Sequence, residues 1–372
     1  MLEKGRISVR QLAVLLLLAE IGDMILVFPS VVTSFAHQDA WIYSFAGIPL
    51  GLLVVIIMVR LYKFRPQYTI IESLQDVIGK WLGSFIGLCY LLFYFISATV
   101  YVREVGDFIT TQVLPQTPVR VINLLFVAIL GWGLIHGLET IARSSEILMP
   151  VVILFLLLLI LFLLPQANPA HLQPIMGINF FKGMQSMLVS VSYPFGELIV
   201  FLMILPYVKE QPHMLRDALL TTLIGGILLS VTVLMSILVI GPLLTEHSVY
   251  ATFVLSQKIQ IGEFLERIEA FMATAWVIST YVKCLLYYYA FTLATAQLFK
   301  LRDYRPFIMP FALLLYGMAF IISPNIKHYT TVVVPYINEL DLTYGLVLPI
   351  MLLGVYWIKD RLNSADTLGS RQ

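Results

Sequence analysis

The chain has 372 residues, of which 59% are hydrophobic and 12% charged; a soluble domain carries roughly 25% charged residues. That is too little charge to wet a globular surface, which excludes a cytosolic enzyme, a nucleic-acid binder and a disordered protein. The 23 Lys and Arg against 22 Asp and Glu leave a net charge of +1, so only the distribution of charge can point to a partner.

At the N-terminal end, Lys4, Arg6 and Arg10 precede an apolar run at 12–19. The run continues through Glu20, Asp23 and Pro29 with no Ala-x-Ala cleavage site, so it reads as a retained first helix rather than a signal peptide. Uncharged stretches follow at 40–59, 81–102, 121–138, 147–181, 218–245, 306–326 and 342–358. They are too long for core strands and long enough to cross hydrocarbon. Three further helices, at 10–34, 184–206 and 264–298, carry charges. Together these predict ten transmembrane helices, at about 10–34, 40–61, 81–113, 119–137, 143–164, 184–206, 216–241, 264–298, 306–323 and 334–358. They form one all-α transmembrane domain over 1–360, followed by a tail at 361–372. Strand barrels are excluded, since their segments alternate with period two over about 10 residues. Segment 69–83 (TIIESLQDVIGKWLG) is short and amphipathic, and reads either as an interfacial helix or as a plain covering helix.

Basic residues orient the bundle. With both termini in the cytoplasm, the inner segments hold 16 of the 23 Lys and Arg. The outer segments hold only Arg120, Lys182, Lys258 and Lys327, while Arg103, Arg267 and Lys283 lie within helices. Cys89 and Cys284 both fall in apolar stretches and form neither a disulfide framework nor a zinc site.

Two segments match each other. Gly22-Asp23-Met24-Ile25 lies midway along the first span and Gly196-Glu197-Leu198-Ile199 midway along the sixth. Pro29 follows the first, and Tyr193-Pro194-Phe195 precedes the second. Five spans separate them, so the second copy enters from the opposite face. This is the pattern of a five-plus-five inverted repeat, about 10–164 and 184–358, with its first helices broken near the midplane. Unwound turns there leave peptide dipoles that only a cavity can accommodate. Half-helix N-termini favour a carboxylate and C-terminal ends a cation, so a zwitterion suits the pair. The alternative is a proline kink with acids facing polar neighbours. The candidate binding set is Gly22, Asp23, Met24, Ile25, Tyr193, Pro194, Phe195, Gly196 and Glu197, with Tyr94 and Tyr101, seven apart on one face of span three. Tyr287, Tyr288 and Tyr289 point in different directions, and at most one or two can face a cavity.

A charge at mid-helix costs about 2.5–3.5 kcal/mol on the insertion scale. Asp23, Glu197 and Lys283 are the deepest. The Lys283 ammonium could stand in for a bound sodium ion, exchange a proton, or form a fixed pair with Asp23 or Glu197. Arg103 and Asp107 can pair along span three. With Arg267 and Glu269 they form either an external gate or a plain interfacial cluster. Arg143 and Glu146 form either a helix-start cap or an inner latch. No metal, cofactor or catalytic motif is visible: there is no H-E-x-x-H, P-loop, G-x-S-x-G or dinucleotide fingerprint, so no enzyme is expected.

Short motifs recur in order: Ile7-Ser8-x-x-Gln11, Gly22, Gly79-Lys80-x-x-Gly83, Gly137-Leu138-Glu139, Ala142-Arg143-Ser144-Ser145-Glu146, and Trp276 followed by Lys283. With them the chain resembles the B-subunit, permease-like family of bacterial spore germinant receptors, within the amino acid–polyamine–organocation superfamily. Asp23 departs from the small or polar residue expected after Gly22. The resemblance implies a LeuT-like fold in the spore inner membrane or bacterial cell membrane, beside receptor A and C subunits. It also implies a small nutrient such as an amino acid bound at the span-one and span-six breaks, and a signal passed to the partners without sustained transport. The residues alone favour the alternative, a proton-coupled amino acid permease.

Overall fold

The computed structural model describes residues 3, 5–209, 211–259 and 269–369. Among them the regular structure is helical; the isolated β-bridge pairs Ile7 with Val208. Helix α1 (Val9–Ile21) starts at a capping box: Ser8 Oγ accepts from the Gln11 amide and the Gln11 side chain accepts from the Ser8 amide. Val14 to Ile21 are all buried. A helix apolar all round sits inside a bundle, and α1 indeed packs against α7 (Gly137–Leu163), α9 (Met214–Ile240) and α12 (Glu269–Leu298). Its continuation α2 (Met24–Ala36) packs against α8 (Phe180–Val191) and α9.

Helix α3 (Ala40–Phe64) leads into α4 (Ile70–Val77), again opened by a capping box, here from Thr69 and Glu72. Helix α4 buries Ile70, Ile71, Leu74 and Val77 against α5 (Lys80–Phe108), which fits the covering role expected as one alternative. The glycine motif between them has a steric cause. Gly79 has φ +102, and a Cβ on Gly83 would run into the Leu74 carbonyl. Helix α6 (Val119–Ile135) gives way to α7 at Gly137, whose φ is +80. Helix α7 therefore begins well before Arg143, which rules out a helix-start cap at 143–146.

Short helices α10 (Pro242–His247) and α11 (Ala251–Ser256) lie between α9 and α12. After α12 come α13 (Ile308–Ile322), α14 (Ile326–His328), α15 (Val334–Leu342) and α16 (Leu348–Gly369). The expected tail is thus helical as far as Gly369. Among the described residues, eight helical stretches are long and apolar enough to cross a membrane, while α6 is a shorter apolar helix. Peripheral α6 and α13 leave Leu125, Ile129, Leu313 and Ile321 exposed, as a lipid-facing surface would.

Candidate functional site

The two matched segments differ in backbone. At the first, the α-helix stops: α1 ends at Ile21 and α2 starts at Met24. At the second the chain stays coiled but changes type, with a π turn over Ser192–Gly196 and a 3-10 run over Glu197–Met203. At each, side chains of α12 bond backbone carbonyls. Trp276 Nε1 donates to the Asp23 carbonyl (3.0 Å) and Ser279 Oγ to the Gly22 carbonyl (3.0 Å). Tyr287 OH donates to the Glu197 carbonyl (2.8 Å). Buried carbonyls left unpaired here would each cost about 1–3 kcal/mol.

One face of α12 supplies all of these donors. Trp276, Ser279, Lys283 and Tyr287 follow the three- and four-residue steps that stack side chains on one helix face. Lys283 occupies the centre of the arrangement. Its Nζ lies 2.5 Å from Asp23 Oδ1 and also bonds Glu197 Oε2. Tyr101 OH donates to Glu197 Oε1 (2.9 Å), and the Tyr101 ring lies 5.2 Å from the ammonium. Both carboxylates and the ammonium are buried. Each charge thus has an opposite charge in contact, as burial demands. Gly22 makes room for the lysine stem: a Cβ there would overlap Lys283 Cδ.

Above this triad is a cavity of about 450 Å³. Asp23, Glu197 and Tyr101 form its floor. Met24, Val27 and Phe28 of α2 rise along one wall, with Tyr193, Val334 and Asn338 on another. Its mouth lies by Glu246 and His247 of α10; Glu246 Oε2 is 2.9 Å from His37 Nδ1. Of the sequence candidates, Asp23, Met24, Tyr101, Tyr193 and Glu197 reach the cavity. Gly22, Ile25, Tyr94, Pro194, Phe195 and Gly196 do not line it. Ile25 sits among Leu156, Ile160 and Leu229. Phe195 packs with Ile48 and Val54 of α3, against Gly51. Tyr94 lies in an aromatic cluster with Phe93 and Tyr287. At Gly196 a Cβ would lie 3.0 Å from the Asp341 carbonyl, so this glycine admits the crossing of α15.

The expected gates fall into separate places. Arg103 and Asp107 form a buried bidentate pair, with two contacts of 2.8 Å, and do not line the cavity. Arg267 lies outside the described residues. Arg143 pairs with Glu139 on the same helix (2.6 Å), while Glu146 accepts from Gln11 (3.1 Å) and meets Arg10 (3.4 Å). Glu146 thereby ties the start of α1 to α7. On the same side, Tyr304 OH donates to Glu3 Oε2 (2.5 Å), and burial raises that phenol's pKa above its ordinary value. Sequence reading missed Ser279, Asn338 and Asp341. The α12 spacing could have found the first, and an acid within the last apolar span could have flagged the third.

Comparison with known proteins places the chain in a family and a fold. The model of a family described as spore germination protein matches residues 6–358. Spore germination protein KB of Bacillus subtilis is 28% identical over 371 residues, covering 97% of each chain. Spore germination protein XB of Bacillus anthracis is 26% identical, covering 66% of this chain and 68% of the relative. Among solved structures, MhsT in complex with L-phenylalanine superposes with a TM-score of 0.72 at 13% identity, covering 95% of this chain and 90% of that one. The fold is therefore that of MhsT, a LeuT-type fold. This multi-pass membrane protein belongs to the spore germination protein family.

Proposed function

We propose that the chain is the membrane subunit of a spore nutrient-germinant receptor. A small nutrient, an amino acid in the first instance, enters the cavity above Asp23, Glu197 and Tyr101. The signal then passes to receptor A and C subunits in the spore inner membrane. One observation carries this reading: the two helix interruptions meet at the cavity floor and are tied to each other by Lys283. A ligand touching that floor contacts both halves of the bundle at once, and needs only to prefer one of two conformers to shift the equilibrium. The occupied MhsT structure supports a ligand of amino acid size in such a fold.

The finer architecture belongs to the same proposal: ten spans, an inverted repeat over about 10–164 and 184–358, and both termini cytoplasmic, so that the cavity mouth faces away from the cytoplasm. The transporter-type fold and the ammonium held between two carboxylates favour a second reading, a proton-coupled amino acid permease. Purified protein in liposomes separates the two. The receptor reading expects saturable amino acid binding with no accumulation under a pH gradient. Concentrative uptake driven by that gradient would establish the permease.

A further inference from the structure

The cavity walls are mainly apolar, and their ionisable residues are dominated by acids, with His247 at the mouth the one titratable base among the described lining residues. Asp23 and Glu197 lie at the floor, Glu339 is an exposed residue of the wall, and Glu246 stands at the mouth. Among the described residues no Lys or Arg lines the cavity. Lys283 does not substitute for one: it lies beneath the floor, is fully buried, and is engaged by both floor carboxylates. At the mouth, His37 faces Glu246. The carbonyls of the first interruption are occupied by Trp276 and Ser279, so a ligand meets side-chain carboxylates there before it meets free backbone acceptors.

We infer that the ligand carries net positive charge: an amino compound whose ammonium is not cancelled by a carboxylate, such as an alkylamine, a diamine or a basic amino acid. This inference rests on the reading of the cavity as a nutrient site and names the charge class it takes. An ammonium entering the cavity meets Glu339 on the wall, Glu246 at the mouth and a floor where two carboxylates share the single Lys283 ammonium, whereas a carboxylate meets this excess of acids and no Lys or Arg on the described lining. The apolar faces of Val27, Phe28, Val31 and Val334 accommodate a hydrocarbon body.

The test uses full-length protein in lipid nanodiscs and a five-carbon series: pentylamine, 1,5-diaminopentane, ornithine, norvaline and pentanoate. Binding is read by thermal shift and calorimetry at low and high salt. The cations should bind about tenfold or more tightly than norvaline, with pentanoate not binding, and the advantage should shrink as salt screens the carboxylates. The Glu339→Gln variant should weaken pentylamine binding about three- to tenfold while changing norvaline binding less. Norvaline or pentanoate binding as tightly as pentylamine would overturn the charge class and leave the nutrient site standing. Equal weakening of both ligands by Glu339→Gln would also overturn it. If none of the series and no amino acid, sugar or nucleoside binds, the nutrient site falls with it.

Discussion

The two interruptions read almost alike in sequence, a glycine, an acid and an Ile at the same offset, yet they are built differently. At Gly22–Asp23 the α-helix ends and restarts, and α12 caps the exposed carbonyls. At Ser192–Met203 the chain never leaves a helical coil; it widens to a π turn and then tightens. The glycines differ accordingly. Gly22 yields space to the Lys283 side chain, Gly196 to the backbone of a crossing helix. What the two sites share is the acid. Asp23 and Glu197 converge on one ammonium, so the functional likeness lies in charge placement and not in backbone shape.

The strongest way to break this comparison is to remove the shared partner. Lys283→Met strands two buried carboxylates, and breaking a buried pair costs about 3–5 kcal/mol. Thermal unfolding in detergent should show a large fall in midpoint, and spores carrying the variant should lose their nutrient response. A normal dose–response would mean that the ammonium is dispensable to signalling.

Next in size is a pair of glycine substitutions that tests the two steric roles separately. Gly22→Ala and Gly196→Ala each overpack a tight crossing, at about 1–3 kcal/mol. Combining each with Lys283→Ala, which removes the Cδ atom, should relieve most of the first clash and leave the second unchanged, giving coupling at Gly22 alone in a double-mutant cycle. Equal coupling at both positions would contradict the difference between the glycines.

A smaller effect separates the carbonyl caps. Ser279→Ala uncovers the Gly22 carbonyl and Tyr287→Phe the Glu197 carbonyl, each at about 1–3 kcal/mol. Hydrogen exchange should rise near 22–26 in the first variant and near 195–203 in the second. Exchange rising at both places in either variant would show the two interruptions to be one cooperative unit. Least of all, Arg143→Ala removes an exposed i,i+4 pair with Glu139, and pairs of that kind contribute little. Its unfolding midpoint and nutrient response should match wild type, and a lost response would restore Arg143 as a latch.

The helical class and the position of each interruption were legible because composition and length leave few choices in a bilayer. Asp23, Glu197 and Lys283 were legible for a related reason: a charge in hydrocarbon needs a partner, and these three were the deepest. Depth along a shared face was not legible. Tyr94 and Tyr101 sit on one side of α5, but only Tyr101 reaches the cavity, because Tyr94 is enclosed by Phe93 and Tyr287. Nor could spacing along one helix show that Trp276 and Ser279 serve carbonyls more than 250 residues earlier in the chain, at |i−j| of 253 and 257. Such pairings depend on which helices pack together, and local periodicity carries no record of that. Asn338 escaped notice for the same reason, whereas Glu339, like Asp341, is an acid within the last predicted span and carried a signal of its own.

Because α12 alone carries Trp276, Ser279, Lys283 and Tyr287, it works as a ruler laid across both interruptions. One residue inserted between Ser279 and Lys283 would swing the lysine about 100° around the axis and lift it about 1.5 Å. Trp276 and Ser279 would keep their hold on the carbonyls of Gly22 and Asp23 while the grip on Glu197 was lost. Length and phase along this one rod hold the pair together, and neither can drift without undoing the other.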